Sequence, residues 1–324
     1  MLLSICIPTF NRKEALKRQI NFILKSNVLE SGDIELIISD NNSNDGTDCF
    51  LSDIIKEYSA LNVKVNINNK NIGLINNFHK VIELSNGKYV WILGDDDLLS
   101  DIIFEKVIKC LLLDVDWIFI NYFTHVNNAI IDDCIYKENR TGFYANGLEM
   151  FENIVLNSEL GAPMFISSNI FKKENILKVD SILSEENEYD NFSLPLGYSL
   201  YSAITSSNGT FLIKEVLIGD EIGGISWNKQ AIRVHSRDMI KMCDIIAKKE
   251  RVEREIIEIL KEKMPDVYPV YKYFIYKLVC NDYKDNYALK WYLKHNKSKL
   301  IKDTIFFPFY CIKSIIIKLS KHHT

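Results

Sequence analysis

Three consecutive carboxylates, Asp95, Asp96 and Asp97, stand directly after an apolar run that ends at Gly94. Carboxylates this close repel one another, so their clustering at the end of a buried segment costs stability unless a cation meets them. Mg²⁺ and Mn²⁺ prefer oxygen ligands and bridge protein carboxylates to substrate phosphates. The cluster therefore indicates a metal site that assists the departure of a diphosphate. The alternative is that these residues cap a following helix, whose N-terminus also favours negative charge.

Two further polar clusters follow apolar runs earlier in the chain. Thr9 to Arg12 come after the run 2–7, and Asp40 ends the run 34–40. An aspartate at a strand end can accept hydrogen bonds from a nucleobase or a ribose. Because Asp, Asn, Ser and Gly are also common turn formers, a plain turn is the alternative interpretation of the segment that begins at Asp40.

Strand-like and helical patterns alternate along the first hundred residues. Apolar runs and alternation predict strands, and a period of 3.6 predicts helices. The predicted strands are 2–7, 34–40, 63–68 and 88–93, and the predicted helices are 12–29, 50–58 and 76–84. This alternation predicts an α/β fold with a parallel sheet covered on both faces. Ligands of such sheets bind outside the carboxyl ends of the strands, so we expect the polar clusters to converge at one edge.

The remainder of the chain is less regular. The run 116–123 predicts another strand, 161–171 predicts strand and loop, and 239–264 predicts one long charged helix. We therefore expect two parts, an α/β domain over residues 1–228 and a helical C-terminal region over residues 229–324.

Composition narrows the class of protein. The 324 residues carry a formal net charge of −4, which gives no reason to expect nucleic-acid binding. Seven scattered cysteines without CxxC spacing are typical of reduced thiols in a cytoplasm. The N-terminus lacks the features of a signal peptide, and no apolar run reaches the roughly 18 residues that span a bilayer. We expect a cytoplasmic protein.

Three segments carry a resemblance to a known family: SICIPTFNR, ELIISDNNSNDGT and NKNIGLINNFHKVIELSNGKYVWILGDDDLL. In their order and spacing they resemble the family 2 glycosyltransferases, whose fold is called GT-A. The combination GDDD after NIG and SNG is similar to the abequosyltransferase-like branch of bacterial surface-polysaccharide enzymes. The resemblance divides the first domain into a nucleotide-sugar half, about 1–125, and an acceptor half, about 126–228.

This resemblance implies an enzyme that moves a sugar from a nucleotide-sugar to a saccharide acceptor. For this branch it implies an acceptor that is linked to a lipid. It implies inverting transfer assisted by Mn²⁺ or Mg²⁺. The metal ligands that it implies are Asp97 and Asp95. The residues that it places around the nucleotide-sugar are Pro8, Thr9, Asn11, Arg12, Asp40, Gly73, Asn77, Asp95 and Asp96.

One position departs from the family pattern. An arginine commonly precedes the asparagine that matches Asn77, and here that position is Asn76. Arg12 or Lys80 is then the alternative source of positive charge for the diphosphate.

The catalytic base is assigned less directly. Inverting transfer needs a carboxylate that takes the proton from the acceptor hydroxyl. In the family it follows the metal motif by about 90 residues, where SEENEYDNF (184–192) lies here. We expect Asp190 to be the base, with Glu186 and Glu188 as alternatives, and a solvated acidic loop is the structural interpretation. His235 is a further candidate contact to the metal or the diphosphate.

The C-terminal tail is basic and aromatic. From residue 290 onward eight lysines are present with a single acid, Asp303, and six aromatic residues up to Tyr310 lie between them. Such a segment can bind an anionic membrane surface, which would place the protein at the inner face of the cell membrane. The alternative is a basic helix packed on the protein or on a second subunit.

Two rival functions remain. A degenerate GT-A domain that only binds saccharide would not need the intact aspartate cluster. A sugar-nucleotide nucleotidyltransferase would need a glycine-rich basic loop after the first strand, and PTFNRKEA offers none. The sequence therefore favours transfer.

Overall fold

The computed structural model describes residues 1–126, 129–158, 161–221, 233–267, 287–298 and 301. The chain forms two compact units, Met1–Gly224 and Ile225–Thr324. The predicted boundary near residue 228 and the division of the first domain into two halves stay predictions.

The first unit is built around one mixed sheet. Its strands are β1 (Leu3–Thr9), β2 (Ile34–Asp40), β3 (Val63–Ile67), β4 (Tyr89–Ile92), β5 (Leu98–Leu99), β6 (Trp117–Val126), β7 (Ala129–Asp132), β8 (Gly142–Tyr144), β9 (Asn169–Lys172) and β10 (Thr210–Glu221). Their order is β3-β2-β1-β4-β9-β6-β10-β5, with β7 beside β6 and β8 beside β10.

The strands β3, β2, β1 and β4 are all parallel, as the sequence predicts. Both β1 and β2 are buried along their whole length, which explains their continuous apolar sequence. The other half of the sheet is mixed, because β9 lies antiparallel between β4 and β6. The strand β10 is parallel to β6, so the carboxyl ends of β1, β2, β4, β6 and β10 all lie at the same edge.

The helices of this unit connect the strands and cover the sheet. α3 (Leu74–Leu84) packs on β1 and β2 and buries Phe78, Val81 and Ile82, which follow the helical period. The other helices are α1 (Lys13–Lys25), α2 (Thr47–Glu57), α4 (Ile103–Leu111), α5 (Gly147–Asn157), α6 (Lys173–Glu185) and α7 (Leu194–Thr205). Short 3₁₀ turns occur at Val28–Ser31, Ala162–Met164 and Ile166–Ser168.

A buried carboxylate ties β1, β2 and β3 together away from the polar clusters. Glu35 is fully buried and accepts hydrogen bonds from Ser4 Oγ (2.6 Å), Asn86 N (2.6 Å) and Lys64 Nζ (2.7 Å). Burial alone would raise the pKa of Glu35, but these three donors lower it below its usual value. These hydrogen bonds stabilise the Glu35 carboxylate, whose burial without partners would be strongly unfavourable.

The second unit is helical in its described part. A π-helical turn, Val234–Asp238, leads into helices Met239–Glu250 and Glu253–Val267, and a further helix spans Tyr287–His295. The prediction of one helix over 239–264 is wrong, because Arg251 adopts a left-handed conformation (φ 61°) that ends the first helix. Within the described residues, no helix is long and apolar enough to cross a membrane.

Candidate active site

The three polar clusters converge at the carboxyl edge of β1, β2 and β4. Thr9 and Asp40 are neighbours in the parallel register of β1 and β2. The hydroxyl of Thr9 donates to Asp95 Oδ2 at 2.7 Å, across 86 residues of sequence. The geometric expectation drawn from the strand ends is therefore met by the folded chain.

Arg12 is the counter-ion of the first two aspartates. Its Nη1 donates to Asp95 Oδ1 at 3.1 Å and forms a short contact with Asp96 Oδ2. Burial raises the pKa of Asp95 to about 6, against the opposing effects of the Thr9 hydrogen bond and the Arg12 charge. Lys80, the other candidate for this charge, instead pairs with Glu83 at 3.0 Å.

Asp97 is held separately. Its Oδ2 accepts hydrogen bonds from Gly94 N at 2.7 Å and from the hydroxyl of Ser167. A Cβ on Gly94 would lie only 2.7 Å from the same oxygen, so a glycine is needed there to seat the carboxylate. Burial, with repulsion from Asp96 and Asp220, raises the pKa of Asp97 to about 8.

The helix-cap interpretation of the aspartates does not hold. After Asp97 the chain enters strand β5, and α4 begins only at Ile103 with Ile102 at its N-cap. The positions of the three aspartates are therefore determined by the end of β4 and by side-chain contacts, and none of them caps a helix.

Asp220 joins this acidic group, and the sequence patterns did not reveal it. β10 pairs antiparallel with β5 at Gly219–Leu98, so the next residue pair in that register sets Asp220 opposite Asp97. Burial and the charge of Asp96 raise the pKa of Asp220 to about 6. Only the strand pairing could identify this residue, because LIGDE by itself carries no motif.

The loops after β1 and β2 are tied to each other. Asn11 has a left-handed conformation (φ 54°), its N donates to Ser43 Oγ at 2.7 Å, and its Oδ1 accepts from Asn44 N at 2.8 Å. Asp40 is fully buried and accepts from Ser43 N at 3.1 Å. Pro8 lies in β1 opposite Ser39, one residue before this junction. A nucleotide contact by these residues stays a prediction.

Asn77 and Gly73 lie at the start of α3. Asn77 is buried, its Nδ2 donates to Ser39 O (2.9 Å), and its Oδ1 accepts from Ser39 Oγ (2.7 Å) and Asn68 Nδ2 (3.0 Å). Gly73 precedes the helix with φ 85° and accepts from Asn41 Nδ2 at 3.3 Å. The amide of Asn77 therefore braces α3 against β2, a role that sequence reasoning missed. Its predicted contact with the nucleotide is untested.

The three candidate bases lie on the connection between α6 and α7. Glu186 and Asp190 are exposed, and Glu188 is buried. The connection is anchored to α3, because the ring of Tyr189 stacks on that of His79 at 3.8 Å. These contacts do not decide which carboxylate is the base, so the assignment of Asp190 stays a prediction.

His235 lies in the π-helical turn of the second unit, and its side chain is outside the described residues. Within the described part of the chain, no group of three or more His, Cys, Asp or Glu residues could hold a metal ion alone. Asp97 Oδ1 has no hydrogen bond among the described residues, so one carboxyl oxygen is left for a cation, whose charge would favour the ionised form. This donor chemistry fits Mn²⁺ or Mg²⁺ that takes further ligands from substrate phosphates.

The fold and the polar edge of its sheet are those of a nucleotide-binding α/β protein. Parallel strands whose carboxyl ends carry polar and acidic side chains are typical of α/β proteins that bind nucleotides in the crevice there. Residues 4–125 match the family model described as Glycosyl transferase family 2. The resemblance drawn from the sequence motifs is thereby confirmed over that segment.

Two curated relatives are similar over the same part. The abequosyltransferase RfbV of Salmonella typhimurium is 41% identical over 100 residues, 31% of this chain and 29% of that protein. The GalNAc(5)-diNAcBac-PP-undecaprenol β-1,3-glucosyltransferase of Campylobacter jejuni is 33% identical over 97 residues, 30% of each chain. The match thus covers less than a third of either relative.

Solved structures extend the comparison of folds to a larger part of this chain. Staphylococcus aureus TarS 1–349 in complex with UDP-GlcNAc aligns with a TM-score of 0.57 and 17% identity, covering 85% of this chain and 73% of that one. At this identity the likeness shows the fold alone. The predicted GT-A fold is confirmed.

Proposed function

We propose that this chain is a glycosyltransferase that moves a sugar from a nucleoside-diphosphate sugar to a saccharide acceptor in the synthesis of a bacterial surface polysaccharide. The observation that carries the proposal is the convergence of Thr9, Arg12 and Asp95–Asp97 at the carboxyl edge of the parallel strands. The family match over residues 4–125 covers this same edge.

On the donor side, Asp97 and Asp95 would hold Mn²⁺ or Mg²⁺. When bound, such a cation balances the charge that develops on a departing diphosphate. Arg12 contacts Asp95 and Asp96, so its guanidinium would add positive charge on the side of the site where the diphosphate is expected. Asp40 and the loop at Asn11 would contact the nucleoside.

On the acceptor side, a carboxylate must remove the proton from the attacking hydroxyl. We assign this role to Asp190, with Glu186 and Glu188 as alternatives, because this segment follows the aspartate cluster by about the 90 residues that the family pattern implies. Attack from the face opposite the diphosphate then inverts the anomeric centre. The acceptor would be lipid-linked, since the name of the Campylobacter relative includes a PP-undecaprenol saccharide.

The test is hydrolysis of a panel of UDP-, CDP- and GDP-sugars with and without Mn²⁺. We expect at least one donor to release sugar in a metal-dependent manner, and Asp97→Asn to abolish the release. Asp101→Asn is the matched control, because it removes the charge of a nearby exposed aspartate outside the site. Binding of saccharide without hydrolysis of any donor would instead support a degenerate binding module.

We also propose that the end of the tail binds the inner face of the cell membrane. Trp291 and Tyr292 are buried in the helix Tyr287–His295, so these two aromatic residues are packing residues. The proposal therefore rests on residues 302–324, which lie outside the described residues and carry four lysines. Anionic vesicles should sediment the full chain but not a variant lacking 302–324, and salt should weaken the binding. Equal sedimentation of both chains would refute it.

A further inference from the structure

Ser167 is a buried residue that makes a direct contact with Asp97. It lies in the 3₁₀ turn Ile166–Ser168, immediately before β9, and its exposed fraction is 0%. Its hydroxyl donates to Asp97 Oδ2 and accepts from Gly94 N at 2.9 Å. Its backbone oxygen accepts from the indole Nε1 of Trp91 at 2.7 Å. Ser167 is thus bonded to β4 through its backbone oxygen and to the Asp97 carboxylate through its hydroxyl.

The contacts on Asp97 are one-sided. Both of its donors, Gly94 N and Ser167 Oγ, meet Oδ2, and no described residue donates to Oδ1. Two donors on one oxygen restrict rotation of the carboxylate about its Cβ–Cγ bond. Oδ1 is then fixed in one direction. A carboxylate that binds a metal through a single oxygen needs such an orientation.

We propose that Ser167 is a positioning residue that orients Asp97 so that Oδ1 faces the divalent cation of the donor complex. The inference rests on the proposed function, because it needs Asp97 to be a metal ligand. Ser167 acts through Asp97 and need not touch the substrate. It comes from a segment 70 residues beyond the aspartate cluster.

The neighbouring serine provides a matched comparison. Ser168 is equally buried, but its hydroxyl donates to Phe165 O at 2.7 Å and accepts from Asn169 Nδ2 at 3.0 Å. Loss of either hydroxyl removes a buried hydrogen bond from the same turn. Only loss of the Ser167 hydroxyl removes a donor from Asp97.

The experiment measures binding of Mn²⁺ alone to the full chain, from the electron paramagnetic resonance signal of free Mn²⁺. We expect Ser167→Ala to raise the dissociation constant ~10- to 100-fold, the usual effect of removing a partner of a metal ligand, and Ser168→Ala to leave it near the wild-type value. Asp97→Asn marks complete loss of the ligand. Urea unfolding of each variant without metal reports whether the two alanine variants are equally stable.

Each outcome decides between the explanations. Wild-type affinity in folded Ser167→Ala, or equal weakening in both alanine variants, overturns the positioning role while the metal assignment stands. If wild-type protein takes up no more Mn²⁺ than Asp97→Asn does, the metal part of the proposed function fails first. Should Ser167→Ala not fold, Ser167→Gly also removes the hydroxyl and adds no volume, and wild-type affinity in that variant overturns the role.

Discussion

The charge state of Asp97 should control the stability of the metal-free protein. This carboxyl is almost fully buried, and its pKa is raised to about 8 from an ordinary value of 3.8. The folded state therefore holds the proton more tightly than the unfolded state, so stability falls as pH rises between these two values. For one group with these pKa values, the free energy of unfolding drops by about 3 to 4 kcal/mol between about pH 5 and 8.

Asp97→Asn removes this dependence. The amide oxygen can accept the hydrogen bonds from Gly94 N and Ser167 Oγ, and the amide carries no charge to desolvate. The variant should therefore gain stability relative to the wild type by about 3 to 4 kcal/mol as pH rises from about 5 to 8. We expect the variant to gain this stability and to lose metal binding, because residues of functional sites often lower the stability of the protein.

The assay is urea unfolding in the presence of a chelator, followed by tryptophan fluorescence, since Trp91 and Trp117 are buried in the same unit as Asp97. Asp101→Asn controls for net charge. The difference between variant and wild type is compared at each pH, so other titrating groups largely cancel. A difference that stays constant from about pH 5 to 8 would refute the burial argument for Asp97.

Three other substitutions test the surrounding contacts. Arg12→Ala should raise the pKa of Asp95 further above about 6 and move the acidic limb of the pH–rate profile of donor hydrolysis to higher pH; an unmoved limb would contradict the ion pair. Gly94→Ala should displace Asp97 and abolish Mn²⁺ uptake with an unchanged circular dichroism spectrum, because the new Cβ would lie 2.7 Å from its carboxylate. Glu35→Gln should lower stability by about 1 to 3 kcal/mol at neutral pH. Since the pKa of Glu35 is lowered, this loss should shrink as pH falls through that pKa, and calorimetric melting at several pH values would check it.

The sequence by itself determined the parallel half of the sheet and the edge at which the candidate site lies. The predicted strand 34–40 coincides with β2, and β1, β3 and β4 lie where apolar runs or alternation predict them. These strands are buried on both faces or flanked by short βα connections, so their local patterns carry the information. Since carboxyl ends of parallel strands share an edge, the convergence of Thr9, Arg12 and Asp95 followed without any knowledge of contacts.

The tertiary structure alone decided which other residues reach that edge. Ser167 and Asp220 meet Asp97 only because β9 inserts antiparallel beside β4 and because β10 pairs with β5. The register of such distant strands depends on the packing of the whole unit, and a single sequence contains no periodic signal for it. The same holds for Asn77, whose motif predicted a nucleotide contact while its amide atoms bond to Ser39 and Asn68. Local composition determines strands and their ends, and long-range pairing determines the partners of the side chains there.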